Sequence, residues 1–447
     1  MKSDLINSCY DWISPLAKKA GLEFDLQASS QGRTSIVFQK KELKNYSYSQ
    51  SHHINLRVLK GDKAGTSYTK DFSKSSMEDC YQRAKDSLQL TDQKTAGELS
   101  ENQSYPDFSD FYDKSFENSS LENKLEKAKE LNSSCLGFDQ RVQPIYSKVF
   151  DLDVVSGFVN SKKQRSLYHI NNVFAVCYSL AVDQNSRANG SKEAHSRNYQ
   201  NINFSQIGKK SAEEAVKKLN YQVPKTKKYP VIFKSGQAVS ALLSRLVELM
   251  SGKSVFEGKS LFKDSLNKKL FSNNFSLYDE PLVVWGANSQ AFDGEGFASE
   301  KTVLVQEGFF KNYLTSSFYA KALKAPHTKK AYWLNDKGAL DISGTNLVMS
   351  EGGSSFQDLL SECPQVVVID YLKGFAGYNS ISGDFSIESE GFLWEGSDFK
   401  PLCQFTVSGN IAQLFSNILK VGNDSEIYGG SIKAPSFLTL DLMIAGQ

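Results

Sequence analysis

Ile54-Asn55-Leu56-Arg57-Val58-Leu59-Lys60-Gly61-Asp62-Lys63-Ala64-Gly65-Thr66-Ser67-Tyr68 alternates apolar and polar side chains, breaks at a glycine-bounded step, and resumes. Period-two runs on both sides of Gly61 to Gly65 predict an antiparallel hairpin. Working outward, Phe24, Leu26 and Ala28, then Ile36 and Phe38, keep the same period and add strands before it. Ahead of those, Leu5, Ile6, Cys9, Trp12, Ile13 and Leu16 recur at spacings of three and four, an amphipathic helix. After the hairpin a helix is expected from about Ser75, with Glu78 completing a capping box and Met77, Cys80, Tyr81, Ala84 and Leu88 on its apolar side.

Residues 91–222 form a central region of strands and helices. Thr91 to Glu117 is polar and reads as a surface connection. Ser119 with Glu122 caps a helix carrying Leu121, Leu125, Ala128 and Leu131, Val142 to Val182 is strand-like, and Ser211 with Glu214 opens another helix. The Pro- and Lys-rich stretch Tyr221 to Pro230 is the clearest boundary, with Lys225, Lys227 and Lys228 read as a solvated linker. Beyond it come a short strand (Val231 to Phe233), a helix bearing Val239, Leu242, Leu243, Leu246, Val247 and Met250, and glycine-punctuated strands. Val366 to Ile369 reads as a buried strand, and Leu438, Leu440, Leu442 and Ile444 as the last one. Without βαβ alternation, this order predicts an α+β protein with mostly antiparallel sheets: an N-terminal α+β domain (1–90), the central region (91–222) and a β-rich C-terminal domain (230–447).

Fifty-two Lys and Arg against 50 Asp and Glu leave a net charge of +2, so no long-range field draws the chain to nucleic acid or anionic lipid. Six cysteines without a C-x-x-C spacing suit a reducing compartment. The N-terminus does not read as a signal peptide, and no apolar run reaches the roughly 20 residues that span a bilayer. A soluble, cytoplasmic protein with no nucleic-acid or membrane partner is expected.

Catalytic patterns are few. His52, His53, His169, His195 and His327 include no pair on one helical face, and adjacent strand residues such as His52 and His53 point to opposite sides. No G-x-S-x-G occurs, and Gly252 stands one residue off the phosphate-loop spacing to Gly258-Lys259-Ser260. Asp293, Glu295, Asp370, Asp384, Glu388 and Glu390 cluster loosely in sequence. They are either turn and strand-surface residues or an acid/base or metal-dependent hydrolase site.

Longer stretches resemble a known family. Tyr371 to Asn379, Ser382 to Ser386, Gly391-Phe392, Val407 to Asn410 and Val421 to Asp424 are similar, in order, to the signature of the TldD/PmbA family, as are Phe292 to Gly296 and Gly344 to Leu347. Leu56-Arg57-Val58 with Gly65 to Thr69 resembles that family's N-terminal hairpin. The resemblance implies one of two kinds of subunit: a TldD kind, a zinc peptidase with an H-E-x-x-x-H helix, or a TldE (PmbA) kind that lacks the motif and pairs with it. The corresponding helix is expected at Gln237 to Met250, where Ala241, Leu242, Leu243 and Leu246 stand and no histidine occurs. The chain is therefore identified as TldE/PmbA-type, with no catalytic residues and no metal ligands of its own. Zinc is expected only in a TldD-type sister, and dimerisation with that sister or with itself. An extended peptide substrate would lie against Gly374, Gly377, Asn379, Gly383 and Asp384. The alternative is a stand-alone homodimer that binds peptides or proteins without cleaving them. The family's association with modulation of DNA gyrase has no counterpart in a basic surface signal here.

Overall fold

The computed structural model describes residues 3–91, 96–335 and 337–446. The expected N-terminal helix is α1 (Ser3–Ala20), whose Ile6, Cys9 and Ile13 are buried; the side chain of Leu5 lies outside the described residues. Two separate strand signals merge into one strand, β1 (Glu23–Gln39), paired with β2 (Glu42–Lys60). The quoted hairpin joins β2 to β3 (Lys63–Thr69), with Lys60 opposite Lys63. The turn is thus only Gly61 and Asp62, and Gly61 supplies its positive φ of 60°. Gly65 is not part of the turn. It sits inside β3, where a Cβ would lie 2.1 Å from the Ala84 carbonyl oxygen, so its missing side chain lets the next helix lie flush on the strand.

That helix, α2 (Lys74–Leu90), buries Met77, Cys80, Tyr81, Ala84 and Leu88 as the periodicity predicts. Its cap is Ser73, whose Oγ accepts from the Ser76 amide, rather than Ser75. Likewise α3 (Leu121–Leu136) is capped by Ser120 instead of Ser119. The polar run before it is more than a surface connection: its described part buries Phe108, Phe111 and Phe116. Residues 92–95 of that run lie outside the described residues.

Strands β4 (Val142–Asn160), β5 (Arg165–Asp183) and β6 (Ser186–Ser196) follow, then α4 (Phe204–Lys217). Ser211 does not open α4. It lies buried within it, donating to the Cys177 carbonyl, while Asn203 is the cap. The six strands form one antiparallel sheet in the order β3-β2-β1-β4-β5-β6, to which segments 1–90 and 91–222 each contribute three. Residues Leu26, Ala28 and Ile36 of β1, with Val149 and Val159 of β4, face the helices: α1 and α2 cover one end, α3 and α4 the other. The opposite face, with Asp25, Arg57 and Phe158, meets the C-terminal half.

The second half begins with β7 (Lys227–Phe233), so Lys227 and Lys228 belong to a strand and not to a linker. β7 pairs in parallel with Gln365–Leu372 and antiparallel with Phe437–Ala445. Asp384–Glu395 and Asp398–Asn410 continue the sheet, and pairing of the latter with Phe437–Ala445 closes a ring of five strands. α5 (Gln237–Leu249) inserts Leu242, Leu243 and Leu246 into the core of this domain. In the last strand Leu438, Leu442 and Ile444 are buried while Leu440 is 37% exposed, because the register shifts between Thr439 and Leu442, where Asp441 has a φ of 60°. The fold is α+β, as expected.

Candidate functional site

Two concave regions flank the strand Gln365–Leu372. The first is a groove of about 500 Å³ along α5. Helical periodicity sends Leu242, Leu243 and Leu246 inward and turns Ser244, Arg245 and Glu248 toward the groove. Arg245 Nη1 donates to Glu248 Oε2 at 2.8 Å, and across the groove Lys253 pairs with Asp341 at 2.9 Å. Among the described residues no imidazole or thiol lines this groove, and its three carboxylates, Glu248, Glu257 and Asp341, are each paired with a cation. That donor set does not fit zinc, which takes nitrogen, sulfur and free carboxylate ligands.

The second region is a cleft between the two halves. β6, the edge strand of the first sheet, brings Asn189, Gly190 and Ser191 to face Tyr371, Lys373 and Gly374, and the space between them is about 380 Å³. Tyr178 and Lys218 line this space and also the adjoining recess that ends at Glu193, Glu214 and Tyr428. Lys218, 4% exposed at its side chain, sits 3.0 Å from Asp370 and 3.4 Å from Glu390. Burial by itself lowers the Lys218 ammonium, but the two carboxylates outweigh it and hold it above the ordinary lysine value. Burial raises Glu214, and the neighbouring Asp370 charge raises it further; burial also raises Glu193. The cleft is therefore walled by tyrosine faces, carries a fixed ammonium at its floor, and is bordered by the edge strand β6, whose Ser191 amide donates to Glu214 Oε2 at 3.3 Å. An extended backbone added beside β6 would have to take over the Ser191 amide from Glu214.

The glycine-rich segment divides across this geometry. Gly374, with a φ of 72°, lines the cleft. Gly377, Asn379, Gly383 and Asp384 build a tight turn beyond it. Asn379 Oδ1 accepts from the amides of Ile381 and Ser382, Asp384 accepts from Ser382 Oγ and Asn410 Nδ2, and the Gly377 backbone packs against Ser386. Asn379 and Asp384 remain exposed at the surface of this turn. The turn is anchored on α5 nonetheless: Tyr378 Oη donates to the Arg245 carbonyl, and the Arg245 guanidinium lies 5.3 Å over the Phe375 ring.

The acidic residues do not form one site. Asp370 holds Lys218, Glu390 bridges Lys218 and Lys373, Glu388 holds Lys373, Asp384 closes the turn, and Asp293 and Glu295 are buried at the junction of the two halves. There Glu295 meets Arg57 at 2.7 Å, and Arg57 also forks onto Asp25. His52 and His53 remain on β2, and His169 on β5. The sequence gives Tyr178, Ser191 and Lys218 no role, and Glu214 only a helix-capping one. Their only signal is Lys218 immediately after an amphipathic helix, where a solvated lysine is the commoner outcome.

Residues 226–446 match the family model described as the PmbA/TldA metallopeptidase C-terminal domain, and residues 25–88 match PmbA/TldA metallopeptidase domain 1. "Metalloprotease PmbA" of Escherichia coli O157:H7 is 28% identical over 242 residues, covering 54% of this chain and 51% of that protein. The chain thus spans about half the length of that relative in the match. The "Metalloprotease PmbA homolog" of Haemophilus influenzae is 22% identical over 97% of this chain and 94% of its own. A Thermotoga maritima protein proposed as a modulator of a DNA gyrase superposes with a TM-score of 0.90 at 26% identity, covering 98% of this chain and all of that one. TldE from Thermococcus kodakarensis has the same fold, with a TM-score of 0.90 at 17% identity over 98% of this chain and all of that one. Matches to both domain models and these relatives, in register with the hairpin and the C-terminal barrel, place this chain in the PmbA/TldD family.

Proposed function

We propose that this chain is the non-catalytic, TldE/PmbA-like subunit of a TldD/TldE-type metallopeptidase acting on unfolded or extended peptides. One observation carries the reading. The groove-facing side chains of α5 are Ser244, Arg245 and Glu248, and no H-E-x-x-x-H occurs anywhere in the sequence. A peptidase zinc cannot be held there, so the metal that activates water comes from a TldD-type sister. In this reading the present chain presents the substrate. The edge strand β6 and the tyrosine-walled cleft at Gly374 suit a peptide that displaces Glu214 from the Ser191 amide and adds as a strand.

Cleavage of an unstructured reporter peptide is to be measured for the purified chain, for an H-E-x-x-x-H sister, and for their mixture, each with and without chelator. Cleavage enhanced in the mixture and abolished by chelator is expected. Cleavage by the chain alone would overturn the reading. Stoichiometric peptide binding without cleavage in any mixture would favour the stand-alone binding homodimer.

A further inference from the structure

We propose that Asp293, Glu295 and His327 form a binding site for one divalent transition-metal cation, on different elements from α5, that fastens the C-terminal half to the N-terminal sheet. One ligand atom from each of the three residues lies within 4.8 Å of the others. The hydrogen bonds leave room for coordination. Asp293 Oδ1 accepts the amides of Glu295 and Phe297, both at 3.0 Å, while Oδ2 accepts only the Ala331 amide at 3.3 Å. Glu295 Oε1 accepts from Arg57 Nη1 and Ser317 Oγ, while Oε2 accepts only the Ser317 amide at 2.8 Å. Each carboxylate therefore keeps one oxygen with an unused lone pair. His327 Nε2 is buried without a hydrogen-bond partner, 3.9 Å from Glu295 Oε2. Its ring is set edge-on against Phe297 at 4.6 Å.

Charge points the same way. Asp25, Asp293 and Glu295 are each at most 1% exposed, and Arg57 is the one cation in direct contact with them among the described residues. Nearby Lys330 is committed to Asp279 and Lys329 to Glu300, and Glu98 adds a further negative charge facing His327. Three buried carboxyl groups thus face one guanidinium, an excess of acidic groups that a dication would balance. Two carboxylate oxygens and one imidazole nitrogen suit zinc or manganese better than magnesium or calcium. Because Glu295 also grips Arg57 of β2, a cation here stiffens the contact between the halves.

The test uses the full chain, stripped with chelator, dialysed, and titrated with zinc and with manganese by calorimetry, with melting followed in parallel. One cation per chain and a rise in melting temperature are expected. His327→Gln should weaken binding at least about tenfold, a loss near 1.4 kcal/mol, and abolish the metal-induced rise. His169→Gln, a histidine on β5, should change neither. Absence of saturable binding up to about 100 μM metal, a level that would register any useful stabilisation, overturns the proposal, as does undiminished binding in His327→Gln. Cobalt substitution in the unmodified chain gives a reading that needs no variant: ligand-field bands without thiolate charge transfer support the site, and thiolate charge transfer overturns it. The site does not rest on the peptidase reading, since neither measurement uses a sister subunit.

Discussion

Replacing Arg57 by Met tests whether the junction of the two halves is held by charge. The Arg57 side chain is 2% exposed, forks onto Asp25 through Nε and Nη2, reaches Glu295 through Nη1, and donates further to the carbonyls of Ala96 and Glu98. Met fills most of the volume and removes every donor. The burial of Asp25 already lifts its carboxyl to about 6 with the guanidinium beside it, so without Arg57 the pair is left without compensation. Removing one member of a buried pair costs about 3–5 kcal/mol. With an unfolding entropy of about 2.1 cal/mol/K per residue, a 447-residue chain loses roughly 3–5 °C in melting temperature. The assay is urea unfolding and melting in chelator-treated buffer. Arg57→Met/Asp25→Asn should recover part of the loss, and adding Glu295→Gln should recover more, because neutral amides are less costly to bury than unpaired carboxylates. A loss below about 1 kcal/mol, the range of a surface pair, refutes the argument, and so does a failure of the neutral partners to restore stability.

Burial holds His195 at about 3, with the Arg197 charge adding to the effect, against an ordinary value of 6.5. The unfolded chain therefore takes up a proton that the folded chain refuses, and stability present above about pH 6.5 is lost as pH falls toward 3, by at most about 1.4 kcal/mol per pH unit. Urea midpoints measured for His195→Asn between about pH 7 and pH 5 should have a slope shallower by one proton. Gly65→Val should destabilise by more than about 2 kcal/mol, because its Cβ would meet backbone atoms of α2 that cannot rotate away; circular dichroism melting checks this. Lys218→Met leaves Asp370 without its ammonium while Glu390 keeps Lys373, and should cost about 3 kcal/mol in urea unfolding, with Asp370→Asn recovering part. If the cleft holds peptide, Tyr178→Ala should weaken binding of an extended reporter peptide about tenfold or more by fluorescence anisotropy, with melting little changed.

What was legible in the sequence followed from local rules, and what was hidden depended on distant partners. The apolar side of α2 and the hairpin from β2 to β3 rest on periods of 3.6 and 2 that a short window contains. Even there, Gly65 read as a turn residue because its neighbour across space, α2, lies about two dozen residues further on. The pairing of β1 with β4, Leu26 opposite Val159, joins residues more than a hundred positions apart and merges segments that composition separates. The carboxylates show the same division more sharply. Asp370, Asp384, Glu388 and Glu390 lie within a short span, yet the strands send Asp370 to Lys218, Glu388 to Lys373, Glu390 between the two lysines and Asp384 into a turn. Asp293 and Glu295 looked like turn residues beside glycine, and Asp293 does cap its own turn through the Glu295 and Phe297 amides. What the local pattern could not carry is the third dimension: Arg57 from the hairpin and His327 from beyond Ser317 arrive at the same point. A turn that uses only half of its carboxylate lone pairs is a structural feature by itself. It becomes a candidate site only when chain-distant groups supply the missing charge and the missing ligand, and those meetings are set by packing, not by spacing.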